Sequence, residues 1–135
     1  MKRRLISLLL AAVMLLATLS LGMTVSAASI TYSDVNDGMW AYGDIMYVSE
    51  NGLMNGTGGG STFSPDMSLT RGMVVTVLYR DNGSPKTNFN GTFTDVEENE
   101  YYTAAAEWAY ANNIVNGTGT DDWGDPLFSP NRDIT

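Results

Sequence analysis

The segment NGLMNGTG at residues 51–58 returns as NNIVNGTG at residues 112–119, 61 positions later. Three further pairs of blocks occur in the same order: YSDV at 32–35 with FTDV at 93–96, FSP at 63–65 with FSP at 128–130, and LT at 69–70 with IT at 134–135. The last two pairs are 65 positions apart, which places a four-residue insertion in the loop around 121–124. Four blocks in one order indicate a duplication.

Each copy reads as a loop, a helix, a glycine-rich turn and a second helix. Apolar residues recur at helical spacing in Tyr42–Glu50 and in its counterpart Thr103–Ala111, and a longer helix is predicted from residue 70 to about residue 80. Gly52 and Asn113 follow the first helix of each copy, and both residue types tolerate the left-handed conformation that often ends a helix. We therefore predict an all-α (mainly α) fold of short helix–loop–helix repeats.

The N-terminal segment has the layout of a secretory signal peptide. Met1–Arg4 is basic, Leu5–Gly22 is almost continuously apolar, and Val25–Ala27 supplies small residues for cleavage. The apolar run is also long enough to span a bilayer, so an uncleaved N-terminal anchor is the alternative. We predict that residues 1–27 are a signal peptide and that the mature, exported chain has no transmembrane segment.

The two copies account for the rest of the chain. We assign residues 30–82 to unit one, 83–90 to a linker and 91–135 to unit two. Unit two stops where its second helix would begin, so its first helix lacks a partner helix of its own. Because repeat units bury their cores against neighbouring units, we expect a truncated chain of marginal stability.

The composition argues against several classes of function. Without residues 1–27, four basic residues stand against fifteen acidic ones, so bulk attraction to nucleic acid or to an anionic membrane is excluded. The chain has no cysteine, which excludes disulfides, and no histidine, the usual general base and commonest metal ligand. We predict that the protein is not an enzyme, and that it has no catalytic residues, metal site or cofactor.

Two other functions are compatible with parts of the sequence. A calcium-dependent protein-docking module needs alternating oxygen ligands, but Asp34–Gly38 departs from that pattern at its fifth position and Asp121–Asp125 lacks the alternation. A glycan-cleaving enzyme needs paired carboxylates, and the acidic cluster at 97–107 has no counterpart in unit one. The calcium-dependent docking module is kept as the alternative.

The repeated blocks resemble the S-layer homology family. Its pattern is F-x-D-V, an aromatic residue, a helix, G-[IVL]-x-x-G, F-x-P and [IVL]-T-R-[AG]-[EQM]. Unit one matches it at 32–35, 40, 52–56, 63–65 and 69–73, and unit two at 93–96, 101–102, 114–117 and 128–130, before ending at 134–135. The resemblance covers essentially all of residues 30–135. It implies a non-catalytic module that tethers exported proteins to the bacterial cell wall or S-layer, often beside further repeats, by binding an acidic, often pyruvylated, secondary cell-wall polysaccharide.

The resemblance assigns a ligand contact to Arg71, the arginine of the T-R signature. The matching position of unit two lies beyond Thr135. A guanidinium can pair with a sugar carboxylate through two parallel hydrogen bonds. The alternatives are a solvated arginine or an ion pair with Asp66 or Asp34.

Two aromatic residues and two glycines complete the candidate ligand site. Trp40 and Tyr101 precede the first helix of each unit and are predicted to stack on sugars, with a place in the core as the alternative. Gly56 and Gly117 match a glycine that family members use in the binding groove, and a tight turn is the alternative.

Four polar residues are predicted to act as structural caps. Thr70 and Thr103 stand at helix starts, where a hydroxyl can accept a hydrogen bond from a free backbone N–H. Asp34 and Asp95 stand at the start of each unit and are expected to cap or fix a turn.

Overall fold

A computed structural model describes residues 29–134, and the segment predicted as a signal peptide lies outside this range. The elements in chain order are helix α1 (Tyr42–Glu50), a 3₁₀ turn (Gly58–Gly60), helix α2 (Arg71–Asp81), helix α3 (Thr103–Ala111), strand β1 (Gly119–Thr120) and strand β2 (Pro126–Leu127). None of the helices in this part of the chain is long and apolar enough to cross a membrane.

The predicted all-α fold is wrong, although the three predicted helices form. They have only 9, 11 and 9 residues, and most of residues 29–134 lies in turns and ordered loops. The insertion of unit two is flanked by a two-stranded antiparallel sheet, in which Gly119 pairs with Leu127 and Thr120 with Pro126. The loops stay irregular because their glycine-rich backbone turns repeatedly into positive φ, which ends helices.

The ends of α1 and α3 show why the two copies tolerate different residues at one position. Gly52 and Asn113 both adopt the left-handed conformation, with φ of 67° and 58°. The N–H of Gly52 then reaches Ser49 O, and the N–H of Asn113 reaches Tyr110 O. The predicted left-handed helix ends are therefore confirmed in both units.

The main core lies between α2 of unit one and α3 of unit two. Val75 and Tyr79 of α2 face the alanine-rich side of α3, and the ring of Tyr79 meets Trp108 edge-on at a centroid distance of 5.7 Å. Ala105 and Ala106 allow a close approach because their side chains are small. Among residues 29–134 unit two has no second helix of its own, and the second helix of unit one packs against α3 in that place.

Candidate functional site

Arg71 connects the two units through its side chain. Its Nε donates to the carbonyl oxygen of Phe128 at 2.9 Å, and its Nη2 donates to that of Asn116 at 3.1 Å. The guanidinium carbon also lies 4.9 Å from the centre of the Phe128 ring, within cation–π range. Neither predicted alternative, the solvated side chain or the pair with Asp66 or Asp34, describes these contacts.

The backbone at the start of α2 continues the same junction. The N–H of Arg71 donates to Arg132 O and that of Gly72 to Pro130 O, both at 2.9 Å. The first N–H groups of a helix have no partner within it, so unit two supplies their acceptors. We call the oxygens of Asn116, Phe128, Pro130 and Arg132 the unit-two carbonyl cluster.

Replacing Arg71 by alanine should lower the free energy of unfolding by about 2 kcal/mol, because two charge-assisted hydrogen bonds between the units are lost. Arg71→Lys should recover part of this loss, since lysine keeps the charge but cannot form the planar two-pronged contact. Urea denaturation measures the free energy of unfolding of both variants. Arg132→Ala is the matched control, because that side chain is exposed. Equal losses in Arg71→Ala and Arg132→Ala would contradict the prediction.

An aspartate in each unit fixes the F-S-P turn of the same unit. Asp34 accepts hydrogen bonds from the N–H groups of Phe63 and Ser64 at 2.8 and 2.7 Å. Asp95 accepts from those of Phe128 and Ser129 at 2.7 and 2.6 Å. These carboxylates therefore bind a loop about thirty residues away rather than a helix end.

The turn that they hold has an unusual backbone. Ser64 and Ser129 have φ of 61° and 58°, a left-handed conformation that serine rarely adopts. Their hydroxyls contact Thr57 and Thr118 at 2.6 and 2.7 Å. Each serine is thus held by a carboxylate on its N–H and a threonine on its hydroxyl, and this offsets the backbone strain.

The turn contact of Asp34 should make stability depend on pH. The N–H donors of Phe63 and Ser64, opposed by desolvation, hold the pKa of Asp34 below its ordinary value of 3.8. A carboxylate whose pKa is lowered by folding stabilises the folded state above its unfolded pKa, and the contribution disappears as the pH falls through the lowered pKa. Asp34→Asn should therefore be destabilised most at neutral pH, and the gap to the parent should narrow below about pH 4.

Thermal melts at pH 7 and at pH 3 measure that gap. Asp37→Asn is the control, because Asp37 is an exposed aspartate of the same loop. A gap between Asp34→Asn and the parent that stays constant over the pH range would contradict the assignment of the contact to the ionised carboxylate.

A cavity of about 470 Å³ opens between the loop and second helix of unit one and reaches Tyr101 of unit two. We call it the unit-one cavity. Its wall is mostly apolar, with Phe63, Met67 and Met73 among the lining residues, and Gly56 contributes half-buried backbone. The side chain of Arg80 also lies on the wall, and its Nη1 donates to Leu53 O at 2.9 Å. No aspartate or glutamate lines this cavity among residues 29–134.

The structure brings two of the five predicted ligand residues together. Tyr101 and Gly56 line the unit-one cavity. Arg71 and Gly117 lie apart from it at the junction of the units, where Asn116, the residue before Gly117, accepts from Arg71. Trp40 is 93% exposed and lies outside the cavity wall.

The two predicted threonine caps behave differently. Thr70 occupies the N-cap of α2, and its Oγ1 accepts from the N–H of Met73 at 3.3 Å. Thr103 is already the first residue of α3, after Tyr102 at the N-cap. Its hydroxyl donates to Glu97 O and accepts from the N–H of Glu100, so it fixes the preceding loop.

Arg80 lines the cavity although the sequence did not indicate it as a site residue. Its helical position gave no sign of a ligand, and only the return of the 53–57 loop over α2 brings it to the cavity wall. Within residues 29–134, no group of three or more His, Cys, Asp or Glu side chains is placed to hold a metal ion.

Comparison with known proteins places these features in a family. The model of the S-layer homology domain matches residues 31–72 and 92–135, which confirms the resemblance and both tandem positions. The chain is 45% identical over 53 residues to a cellulosome-anchoring protein of Acetivibrio thermocellus, a match that covers 39% of this chain and 12% of that protein. It is 26% identical over 107 residues to exoglucanase XynX of Acetivibrio thermocellus, covering 79% of this chain and 9% of that enzyme. No solved structure matches the chain significantly.

Proposed function

Because the chain belongs to the S-layer homology family, we propose that it anchors an exported protein to the bacterial wall by binding an acidic secondary cell-wall polysaccharide in the unit-one cavity. S-layer homology domains are non-catalytic modules of cell-surface anchoring. The chain spans only about a tenth of the two relatives, so the cargo and the identity of the polymer belong to this proposal.

The charge of the cavity wall carries the proposal. The chain has fifteen acidic residues, yet among the described residues none lines the cavity, whereas Arg80 does. An arginine has five N–H donors, and the bond from its Nη1 to Leu53 O leaves others for a ligand carboxylate. The wall is therefore suited to an anion even though the chain as a whole is acidic.

Tyr101 supplies the second property that a sugar site needs. Its ring is 53% exposed and packs edge-on against the buried ring of Tyr102 at a centroid distance of 4.9 Å. An aromatic face that is held from behind and open in front can cover the C–H surface of a sugar ring. Gly56 contributes half-buried backbone to the lining of the same cavity.

The test is a pull-down of the chain on purified cell-wall sacculi before and after chemical removal of the secondary polymer. Binding should require the polymer, and Tyr101→Ala should weaken it by about tenfold through loss of stacking. Trp123→Ala is the control, because Trp123 is 86% exposed and lies outside the cavity wall. Equal binding with and without the polymer would refute the polysaccharide ligand. If Tyr101→Ala and Trp123→Ala lose binding equally, the ligand does not bind in the unit-one cavity.

The same assay separates the other proposed contacts, Arg71, Trp40 and Gly117. Because Arg71 joins the units, its variants are compared at a temperature where circular dichroism shows that each is folded. If folded Arg71→Lys loses binding while Tyr101→Ala keeps it, the ligand lies at the junction of the units and not in the cavity.

A further inference from the structure

The chain contains five asparagine–glycine pairs, the dipeptides in which spontaneous deamidation meets the least steric hindrance. The backbone nitrogen of the glycine attacks the side-chain amide carbon of the asparagine and closes a succinimide ring. The bond from that carbon to the amide nitrogen breaks, and the nitrogen leaves as ammonia with the proton of the glycine N–H. Water then opens the ring to aspartate or isoaspartate. The pairs begin at Asn51, Asn55, Asn82, Asn90 and Asn116.

Two of the pairs are fastened at helix ends. In each of them the glycine N–H donates to a carbonyl oxygen of the helix that has just ended, and the side-chain amide of the asparagine does the same. The donors are the N–H groups of Gly52 and Gly83 and the Nδ2 groups of Asn51 and Asn82, at 2.8 to 3.0 Å. The attacking nitrogen and the amide that it would attack are therefore both held by the helix.

Two further pairs are restrained by tertiary contacts. Attack requires rotation about the Cα–C bond of the asparagine, which swings its carbonyl oxygen and the glycine that follows. At Asn116 that oxygen accepts from Arg71 Nη2 at 3.1 Å. After Asn55 the chain is packed so closely that a Cβ at Gly56 would lie 2.3 Å from Thr62 O. The rotation would disturb an existing contact at either pair.

The pair at Asn90 has none of these restraints. Among residues 29–134, the N–H of Gly91, the carbonyl oxygen of Asn90 and the side-chain amide of Asn90 have no hydrogen-bond partner. Both residues are exposed, and a Cβ at Gly91 would meet nothing within 4 Å. The rotation that brings the glycine nitrogen to the amide carbon is therefore open at this pair and restrained at the other four.

The residues around this pair hold the entry to unit two. The N–H groups of Asn90 and Thr92 both donate to Oε1 of Glu107, at 3.3 and 3.0 Å, and Glu107 is 2% exposed. Isoaspartate at position 90 would add a methylene group to the main chain between these two donors. Either product would also add a carboxylate near the buried one, and like charges repel. Both changes weaken the contact with Glu107.

We propose that Asn90 and Gly91 form a self-modification site, at which spontaneous deamidation releases the entry of unit two from Glu107. The structure holds everything that the reaction uses apart from water: an amide carbon, an unbonded N–H and room for the rotation between them. The product forms where a buried carboxylate depends on its donors, so a change at one exposed residue reaches the core. The contact is therefore expected to be lost as the chain ages.

The rate at each pair is the first test. The full chain is incubated at mildly alkaline pH, cut with an acid protease at low pH, where the reaction is slow, and analysed by mass spectrometry. Asn90 should convert about tenfold faster than Asn51 and Asn82, because an open geometry favours intramolecular attack. In guanidinium chloride all five pairs should convert at similar rates, since each is then an unfolded Asn-Gly. Equal rates in the folded chain, or the same ranking in guanidinium chloride, would overturn the proposal.

The effect on the fold is the second test. Asn90→Gln is the matched control, because the side chain at position 90 is exposed and glutamine must close a larger ring, which is far slower. Melts followed by circular dichroism are recorded for both chains during the incubation. The melting temperature of the parent should fall as the converted fraction rises, while that of Asn90→Gln stays constant. A parent that converts at Asn90 with an unchanged melting temperature, or a variant that loses it at the same pace, would overturn the release from Glu107.

Discussion

Replacing Gly56 by alanine should lower the free energy of unfolding by about 4 kcal/mol, which is a large part of the stability of a small domain. A Cβ at this position would lie 2.3 Å from the backbone oxygen of Thr62 and 2.7 Å from Cε1 of Tyr32. The Thr62 contact is with backbone, so it cannot be relieved by a side-chain rotation. The residue also has φ of 71°, a conformation that alanine disfavours.

The chain provides a control that separates the clash from the backbone conformation. Gly59 has φ of 70°, yet a Cβ there would meet nothing within 4 Å. Gly59→Ala should therefore cost about 1 kcal/mol, the conformational part alone. Gly117→Ala should fall between the two, because its Cβ would lie 3.0 Å from Leu127 O. Urea denaturation gives the free energy of unfolding of the three variants and so their order. Similar decreases in Gly56→Ala and Gly59→Ala would contradict the steric argument.

The local structure was largely predictable from the sequence. Helical periodicity gave α1 and α3 with their correct bounds, and the α2 helix to within one residue at each end. The left-handed residues Gly52 and Asn113 were also predictable, because a helix end needs that conformation whatever its tertiary contacts. These features depend on interactions a few residues apart, which a single sequence displays directly.

The fold class and the site depended on contacts that no local pattern shows. The acceptors of Arg71 lie 45 and 57 residues away, and they are backbone oxygens, which carry no sequence signal. The left-handed Ser64 and Ser129 were not foreseen either, because serine has no preference for that conformation. Their clamps, Asp34 and Asp95, were recognised only as residues that would fix some turn. The repeat alignment indicates only that the two turns are held in the same way, and the structure shows this in the matching bonds of Asp34 and Asp95.

A buried carboxylate occurs in unit two but not in unit one, and its replacement should be the second strongly destabilising substitution. Glu107 of α3 is 2% exposed, although its counterpart in unit one is Met46. Its carboxylate accepts from the N–H of Asn90 at 3.3 Å, the N–H of Thr92 at 3.0 Å and the hydroxyl of Thr92 at 2.5 Å. A buried carboxylate is stable only where donors surround it, and here they come from the segment that enters unit two.

Glu107→Leu should lower the free energy of unfolding by about 3 kcal/mol, because two N–H groups and a hydroxyl lose their acceptor beside the core. Glu107→Gln should cost only about 1 kcal/mol, since the amide oxygen still accepts from the backbone and the amide nitrogen can donate to Thr92 Oγ1. Met46→Leu is the control at the equivalent position and should be nearly neutral.

Hydrogen exchange shows which part of the chain is destabilised when Glu107 is replaced. In Glu107→Leu the amides of Asn90 and Thr92 should lose protection before those of α2, because the contact holds the entry to unit two rather than unit one. Urea denaturation of the three variants gives the energies. If Glu107→Gln and Glu107→Leu lower the free energy of unfolding equally, or if amide protection is lost uniformly along the chain, Glu107 does not act by holding the segment of Asn90 and Thr92.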